Sequence, residues 1–208
     1  MHKNSDVLVA FDFDETLASP RSISVLGEIL NKKDKLESIL LTSDVNKRFI
    51  LLANEMLGND PEIFQKAADL MSPEPYALEL LEEFRKRKYI IGIISDGYYE
   101  LIKHFEKKLI KFDFVIAHKF ELLNGKLSKV ILAVENYSND WKGRILVDLK
   151  NKYNCQKTIA IGDNLQDLSM LRVADISIAY KPKVEILKEF SKITIYNYKE
   201  ILDNLDLY

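Results

Sequence analysis

The chain has 208 residues, 47% of them hydrophobic and 30% charged, with a formal net charge of −2. The near balance of 30 Lys and Arg against 32 Asp and Glu excludes the basic excess of a nucleic-acid-binding protein and the composition of a disordered acidic chain. A single cysteine, Cys155, excludes an internal disulfide framework and a cysteine-rich zinc site.

The length suits one large domain, or a domain carrying a small second one. The three histidines, His2, His104 and His118, form no motif that would make Cys155 a nucleophile. No apolar run approaches the about 20 residues that span a bilayer. The first run, 7–11, is too short for a signal-peptide core and is followed at once by Asp12 and Asp14. The expectation is a cytoplasmic protein with neither a membrane nor a nucleic-acid partner; the oligomeric state is not legible.

In chain order, residues 7–14 open with a continuous apolar run that suits a buried parallel strand. Residues 19–72 then carry helical periods and no strong strand signal. Ser19-Pro20 and Asp60-Pro61 each place a cap residue before a proline suited to a first helical turn. Val45, Phe49, Leu52 and Met56 define one helical face. The segment reads as an all-helical insertion, with Ser72-Pro73-Glu74-Pro75 as its return hinge. Apolar strand patterns recur at 89–95, 112–117, 158–162, 175–179 and 193–196, with helical patterns at 77–87, 99–109, 141–153, 165–173 and 184–190. Asn124-Gly125 between apolar residues predicts a hairpin. The alternation predicts an α/β fold: a Rossmann-like parallel sheet with helices on both faces, residues 1–18 and 73–208 forming a discontinuous core and 19–72 a helical cap.

Four pieces carry polar groups to the edge of the sheet where ligands bind in such folds. Asp12 and Asp14 lie two residues apart at a strand end, where paired carboxylates need a cation, a proton or a reaction. Ser95-Asp96-Gly97 offers a hydroxyl and amides at a helix beginning near Tyr98, suited to phosphate. Lys142 would matter by neutralising a phosphoryl group or a carboxylate nucleophile. Gly162-Asp163 ends a strand, and Asp167 follows four residues later. Hard oxygen donors of this kind suit Mg²⁺.

The order of these four pieces, the insertion after the first, and the stretch Gly162-Asp163-Asn164-Leu165-Gln166-Asp167-Leu168-Ser169-Met170-Leu171 resemble the haloacid dehalogenase-like phosphohydrolases, and within them the phosphoserine phosphatase group. The resemblance implies a Mg²⁺-dependent phosphomonoesterase for a small phosphorylated metabolite. Asp12 would be the nucleophile, forming an aspartyl-phosphate, with Asp14 as general acid and base. Lys142 would offset the charge repulsion. Thr16 would fix the turn. Ser95, Asp96 and Gly97 would hold the phosphoryl oxygens. Asp12, Asp163, Asp167 and the backbone carbonyl of Asp14 would bind the metal.

Arg48 stands where that group binds the substrate carboxylate. Arg21, nine residues after Asp12, replaces the glutamate that recognises the substrate ammonium. Gln166 replaces an asparagine. An arginine repels an ammonium and attracts an anion, so a more anionic phosphomonoester stands beside phosphoserine, with nearby Glu28 as an alternative ammonium partner. Phosphotransfer to an alcohol, a phospho-receiver and a non-catalytic scaffold are the competing classes. A receiver's acidic pair is usually adjacent, whereas Asp12 and Asp14 straddle Phe13.

Overall fold

The structure, a computed structural model, describes residues 5–134 and 138–205. His2 and the outermost residues of the expected core segments lie outside them. Strand β1 (Val7–Phe11) is followed by the two-residue strand β2 (Ala18–Ser19), then by helices α1 (Ser22–Ile29), α2 (Lys33–Leu40), α3 (Val45–Met56) and α4 (Glu62–Leu70). The chain returns through β3 (Ser72–Pro73), α5 (Ala77–Lys86), β4 (Ile90–Tyr98) and α6 (Tyr99–Phe105). It continues as β5 (Phe114–Leu123), β6 (Lys126–Ile131), α7 (Trp141–Tyr153), β7 (Lys157–Gly162) and α8 (Leu168–Val173). It closes with β8 (Ile176–Tyr180), α9 (Glu185–Phe190), β9 (Ile193–Ile195) and α10 (Lys199–Leu202). Among the described residues no helix is long and apolar enough to cross a membrane.

The main sheet has the order β6-β5-β4-β1-β7-β8-β9, and all pairings except β5–β6 are parallel. The chain winds outward from β1 in one direction, then returns to its other side at β7. Ligands bind outside the carboxyl ends of strands at such a switch point.

Strand parity decides which side chains meet. Val9 and Phe11 face Leu80, Leu81 and Phe84 of α5 and Ile201 of α10. Leu8 and Ala10 face Trp141, Leu146 and Leu149 of α7 and Met170 and Leu171 of α8. Successive residues of a strand point to opposite faces. Continued one step past the strand, this alternation puts Asp12 on the α7 and α8 side.

The helical insertion is fastened at both crossings. β2 pairs antiparallel with β3, Ala18 against Pro73 and Ser19 against Ser72. This ribbon explains one departure from the sequence reading. Ser19 is committed to strand pairing, so α1 starts at Ser22 with Arg21 at its N-cap, and Ser19-Pro20 does not form its first turn. At Asp60-Pro61 the helix start is shifted by one residue: Pro61 is the N-cap of α4, and Asp60 Oδ1 accepts from the Glu62 amide at 3.1 Å. The insertion also packs on the sheet through Phe64, Tyr98 and Phe120, whose ring centroids lie 5.2 to 5.6 Å apart. At the hairpin, Asn124 and Gly125 both adopt positive φ, 51° and 76°, as a type I′ turn requires.

Close approach of β4 to β5 depends on Gly92, where an added Cβ would lie 2.5 Å from the Phe114 ring and carbonyl oxygen. Gly92→Ala is expected to cost about 1–3 kcal/mol through overpacking. Urea unfolding measures it, and an unchanged midpoint would show that the two strands separate freely.

Candidate active site

β1 ends at Phe11, one residue before Asp12, whose amide donates to the Ile161 carbonyl at 2.9 Å. The next residues fold back tightly: the amides of Leu17 and Ala18 both donate to the Phe13 carbonyl, at 2.9 and 3.1 Å. Thr16 is fully buried there. Its hydroxyl donates to Asp163 Oδ1 at 3.3 Å, and its carbonyl accepts from the Tyr198 hydroxyl at 2.7 Å.

At the centre, Lys142 Nζ donates to Asp12 Oδ1 and to Asp167 Oδ1, both at 2.7 Å. Lys142 and Asp167 are each 1% exposed. Trp141 begins α7, so the helix delivers Lys142 in its first turn. The second oxygen of Asp167 accepts from the amides of Asp163 and Asn164, both at 3.0 Å. Gly162 permits this approach, since a Cβ there would lie 2.5 Å from the Asp167 Cβ.

Among the described residues, one cluster of carboxylates has metal-binding spacing. Asp12, Asp163 and Asp167 each offer an oxygen within 4.8 Å of the others. Lys183, from the loop after β8, forms an ion pair with Asp163 Oδ2 at 2.7 Å and pairs with Glu15. Lys142 and Lys183 thus set two ammonium charges against three clustered carboxylates, and the donors are all oxygen. The set fits a hard divalent cation such as Mg²⁺.

The electrostatics agree with that fit. Burial and Asp167 push the Asp12 carboxyl well above the usual carboxylate range, against the pull of Lys142. Asp163 is raised to about 6 by burial and by Asp167, with Lys183 opposing. Removal from water raises Asp14 too, while its bonds from Ser22 and the nearby Arg21 charge hold it down. Burial works against the Lys142 ammonium, but Asp12, Asp167 and Asp96 more than offset it.

Above the carboxylates, one cavity is lined by Ser95, Asp96, Gly97, Arg21, Arg48 and Gln166, together with Asp12, Asp14, Lys142, Asp163, Asp167 and Lys183. The candidate catalytic, metal-binding, phosphate-binding and substrate-binding residues therefore reach one place, from both the sheet and the helical insertion, whereas Thr16 and Glu28 do not line it.

The haloacid dehalogenase-like hydrolase family model matches residues 9–172. The chain belongs to this family. It is 27% identical over 199 residues to phosphoserine phosphatase from Methanocaldococcus jannaschii, covering 90% of this chain and 91% of that protein. The Streptococcus thermophilus phosphoserine phosphatase is 28% identical over 211 residues, covering 95% and 96%. A structure of a phospho-aspartyl intermediate analogue of phosphoserine phosphatase is similar with a TM-score of 0.81 at 25% identity, covering 97% of this chain and 99% of that one. A substrate-bound phosphoserine phosphatase complex is similar with a TM-score of 0.82 at 25% identity, covering 95% and 97%. The protein is a haloacid dehalogenase-like phosphoric monoester hydrolase, similar to the phosphoserine phosphatases.

Several positions differ from the sequence reading. The Asp14 side chain, read as general acid and base with only its backbone carbonyl toward the metal, has both oxygens bonded to Ser22, a partner the sequence did not indicate. β4 runs past the expected strand end at 95 through Asp96 and Gly97 to Tyr98, with an irregular register from Ile94, and α6 follows at Tyr99 as expected. The Gly97 amide, which donates to Ser95 Oγ at 3.0 Å, thus lies in a strand bulge and not in a helical turn. Glu28 is exposed, pairs with Lys33 at 2.9 Å and does not line the cavity. Glu15, Ser22 and Lys183 escaped the sequence reading. Lys183 had one usable signal: it follows an apolar strand at the same carboxyl edge as the other site residues.

The raised carboxyls bear on stability. Between the ordinary carboxylate range near 4 and about 6 for Asp163, the folded protein binds more protons than the unfolded one. The stability these groups contribute therefore falls as pH rises through that window. Mg²⁺ competes with those protons, so it is expected to raise Tm more at about pH 7 than at about pH 5. Thermal unfolding in EDTA and in Mg²⁺ at both pH values measures this, and equal stabilisation at both would contradict it.

Proposed function

We propose that the protein is a Mg²⁺-dependent phosphomonoesterase for a small phosphorylated metabolite, working through an aspartyl-phosphate. The observation that carries this reading is the Lys142 ammonium, 2.7 Å from both Asp12 and Asp167, on the floor of a cavity that also holds Ser95 and Asp14. In the proposed reaction an Asp12 oxygen bonds to phosphorus as the bond to the leaving oxygen breaks, and Asp14 gives that oxygen a proton. A water then attacks the same phosphorus, its proton passes to Asp14, and the bond to Asp12 breaks to release phosphate.

Lys142 holds the nucleophile and offsets its repulsion from the phosphoryl oxygens. Ser95 and the amides of Asp96 and Gly97 receive those oxygens. Asp12, Asp163 and Asp167 would hold Mg²⁺ with the Asp14 carbonyl, Asp167 being also committed to Lys142 and two amides. When bound, the metal supplies further charge stabilisation to the phosphoryl group. The reading places hydrolysis ahead of phosphotransfer, and a receiver or scaffold behind both. A cytoplasmic location accords with it.

Residues 1–18 and 73–208 form the catalytic core in this reading, and residues 19–72 are the cap that excludes water and selects the substrate. Phosphoserine is the reference substrate, given the relatives. A second reading, a more anionic phosphomonoester, is favoured by Arg21 and Arg48 lining the cavity and by Glu28 lying outside it. Gln166 supplies a neutral polar contact at the same wall.

Asp12→Asn is expected to abolish phosphate release while leaving the fold intact by circular dichroism, with Tm lowered by loss of the charge opposite Lys142; undiminished turnover would overturn the nucleophile assignment. A panel of phosphoserine, phosphorylated dicarboxylates and bisphosphates with Mg²⁺ separates the substrate readings. Arg48→Ala should raise KM for anionic members of the panel by about tenfold, the loss of one charged hydrogen bond, with kcat little changed.

A further inference from the structure

Asp14 owes its placement to a residue outside the sheet. Its Oδ1 accepts from the Ser22 amide at 2.6 Å, and its Oδ2 from the Ser22 hydroxyl at 2.7 Å. Ser22 is 3% exposed and opens α1. The N-cap residue Arg21 makes no side-chain capping bond, so Asp14, from the turn after β1, satisfies one of the orphan amides at that helix start. On the other side, a Cβ built at Gly97 would lie 3.6 Å from Asp14 Oδ2 and 3.3 Å from Ser95 Oγ. The carboxyl thus sits between the helical insertion and the Ser95–Gly97 bulge. One amide bond anchors a carboxyl but leaves it free to rotate. A second bond, to the other oxygen from the same residue, fixes its plane.

We propose that Ser22 is a positioning residue for proton transfer by Asp14, its hydroxyl setting the carboxyl plane so that the acid faces the oxygen leaving phosphorus. This rests on Asp14 being the general acid. Because Ser22 belongs to α1, seating of the helical insertion and alignment of the acid become one event. As the phosphorus–oxygen bond breaks, its electron pair stays on the leaving oxygen, and the proton comes from Asp14. The need for that proton falls as the leaving oxygen becomes a weaker base. The contribution of Ser22 therefore depends on the leaving group, whereas a purely structural contribution does not.

The experiment compares kcat/KM of the full-length protein with Mg²⁺ on p-nitrophenyl phosphate, phenyl phosphate and an alkyl phosphate. The variants are Ser22→Ala, Ser22→Thr and Asp14→Asn. Ser22→Ala is expected to lose about tenfold on phenyl and alkyl phosphates, the worth of one hydrogen bond to a charged group, and under about twofold on p-nitrophenyl phosphate. Ser22→Thr, which keeps the hydroxyl, should restore the poor leaving groups. An equal loss by Ser22→Ala on all three substrates, or no loss, would overturn the proposal. Asp14→Asn separates the two claims. A leaving-group dependence in Asp14→Asn that is missing in Ser22→Ala sinks the role of Ser22 alone. Its absence in Asp14→Asn sinks the acid assignment beneath it. Should Ser22→Ala fail to fold, Ser22→Cys, similar in size and a weak donor, carries the same comparison.

Discussion

A buried ammonium shared by two carboxylates sets the form of this site. Lys142 touches Asp12 at the end of β1 and Asp167 ahead of α8, each at 2.7 Å. Without a cation, two carboxylates this close and this buried would not both stay ionised. Removing one partner of such a buried pair typically costs about 3–5 kcal/mol, so the pairing constrains the backbone around it. α7 must start where its first turn reaches the sheet edge. Gly162 must lack a side chain so that Asp167 can fold back onto the amides of Asp163 and Asn164. The strand switch between β1 and β7 is what places these groups side by side.

A second network ties the helical insertion to this centre. Glu74, just past β3, takes the Leu17 carbonyl with its amide at 2.9 Å, and its carboxylate accepts from Tyr180 and Lys181, both at 2.6 Å. Tyr180 stacks on Tyr198, with centroids 4.4 Å apart and planes at 11°. Tyr198 bonds to Thr16, which bonds to Asp163. The crossings of the chain into and out of the insertion are therefore linked through buried polar and aromatic contacts to the carboxylate cluster itself. Such satisfied polar contacts favour one arrangement over many. His118, under α3, belongs to the packing and not to the chemistry. It lies 4.9 Å from the Phe49 ring and accepts from the Ala133 amide, and burial lowers it to about 4, so it stays neutral.

The fold was largely legible because its signals are local. A strand buried on both faces must be apolar throughout, so 7–11, 158–162 and 175–179 stand out in the sequence. A type I′ turn accepts few residues, so Asn124-Gly125 marks the hairpin. Boundaries were less legible where pairing competes with propensity. Ser19 reads as a helix cap but is held in a ribbon with Ser72. Residues 96–98 lie beyond the strand pattern that ends at 95 but are held in the irregular end of β4.

At the site, residue types and their order along the chain pointed to the oxygen-rich donor set, the lysine and the Ser95–Gly97 stretch. Each of these is a short motif at the end of an apolar run. Only the tertiary structure decided which of these side chains meet. It gave both oxygens of Asp14 to Ser22. It brought Lys183 to Asp163 and, across 168 residues of chain, to Glu15, and it left Glu28 in solvent beside Lys33. The physical reason is the range of the forces. Hydrophobic periodicity and turn chemistry act between near neighbours in sequence. Ion pairs and buried hydrogen bonds act between neighbours in space, and those exist only once the sheet has placed its carboxyl edge against the first turn of α1.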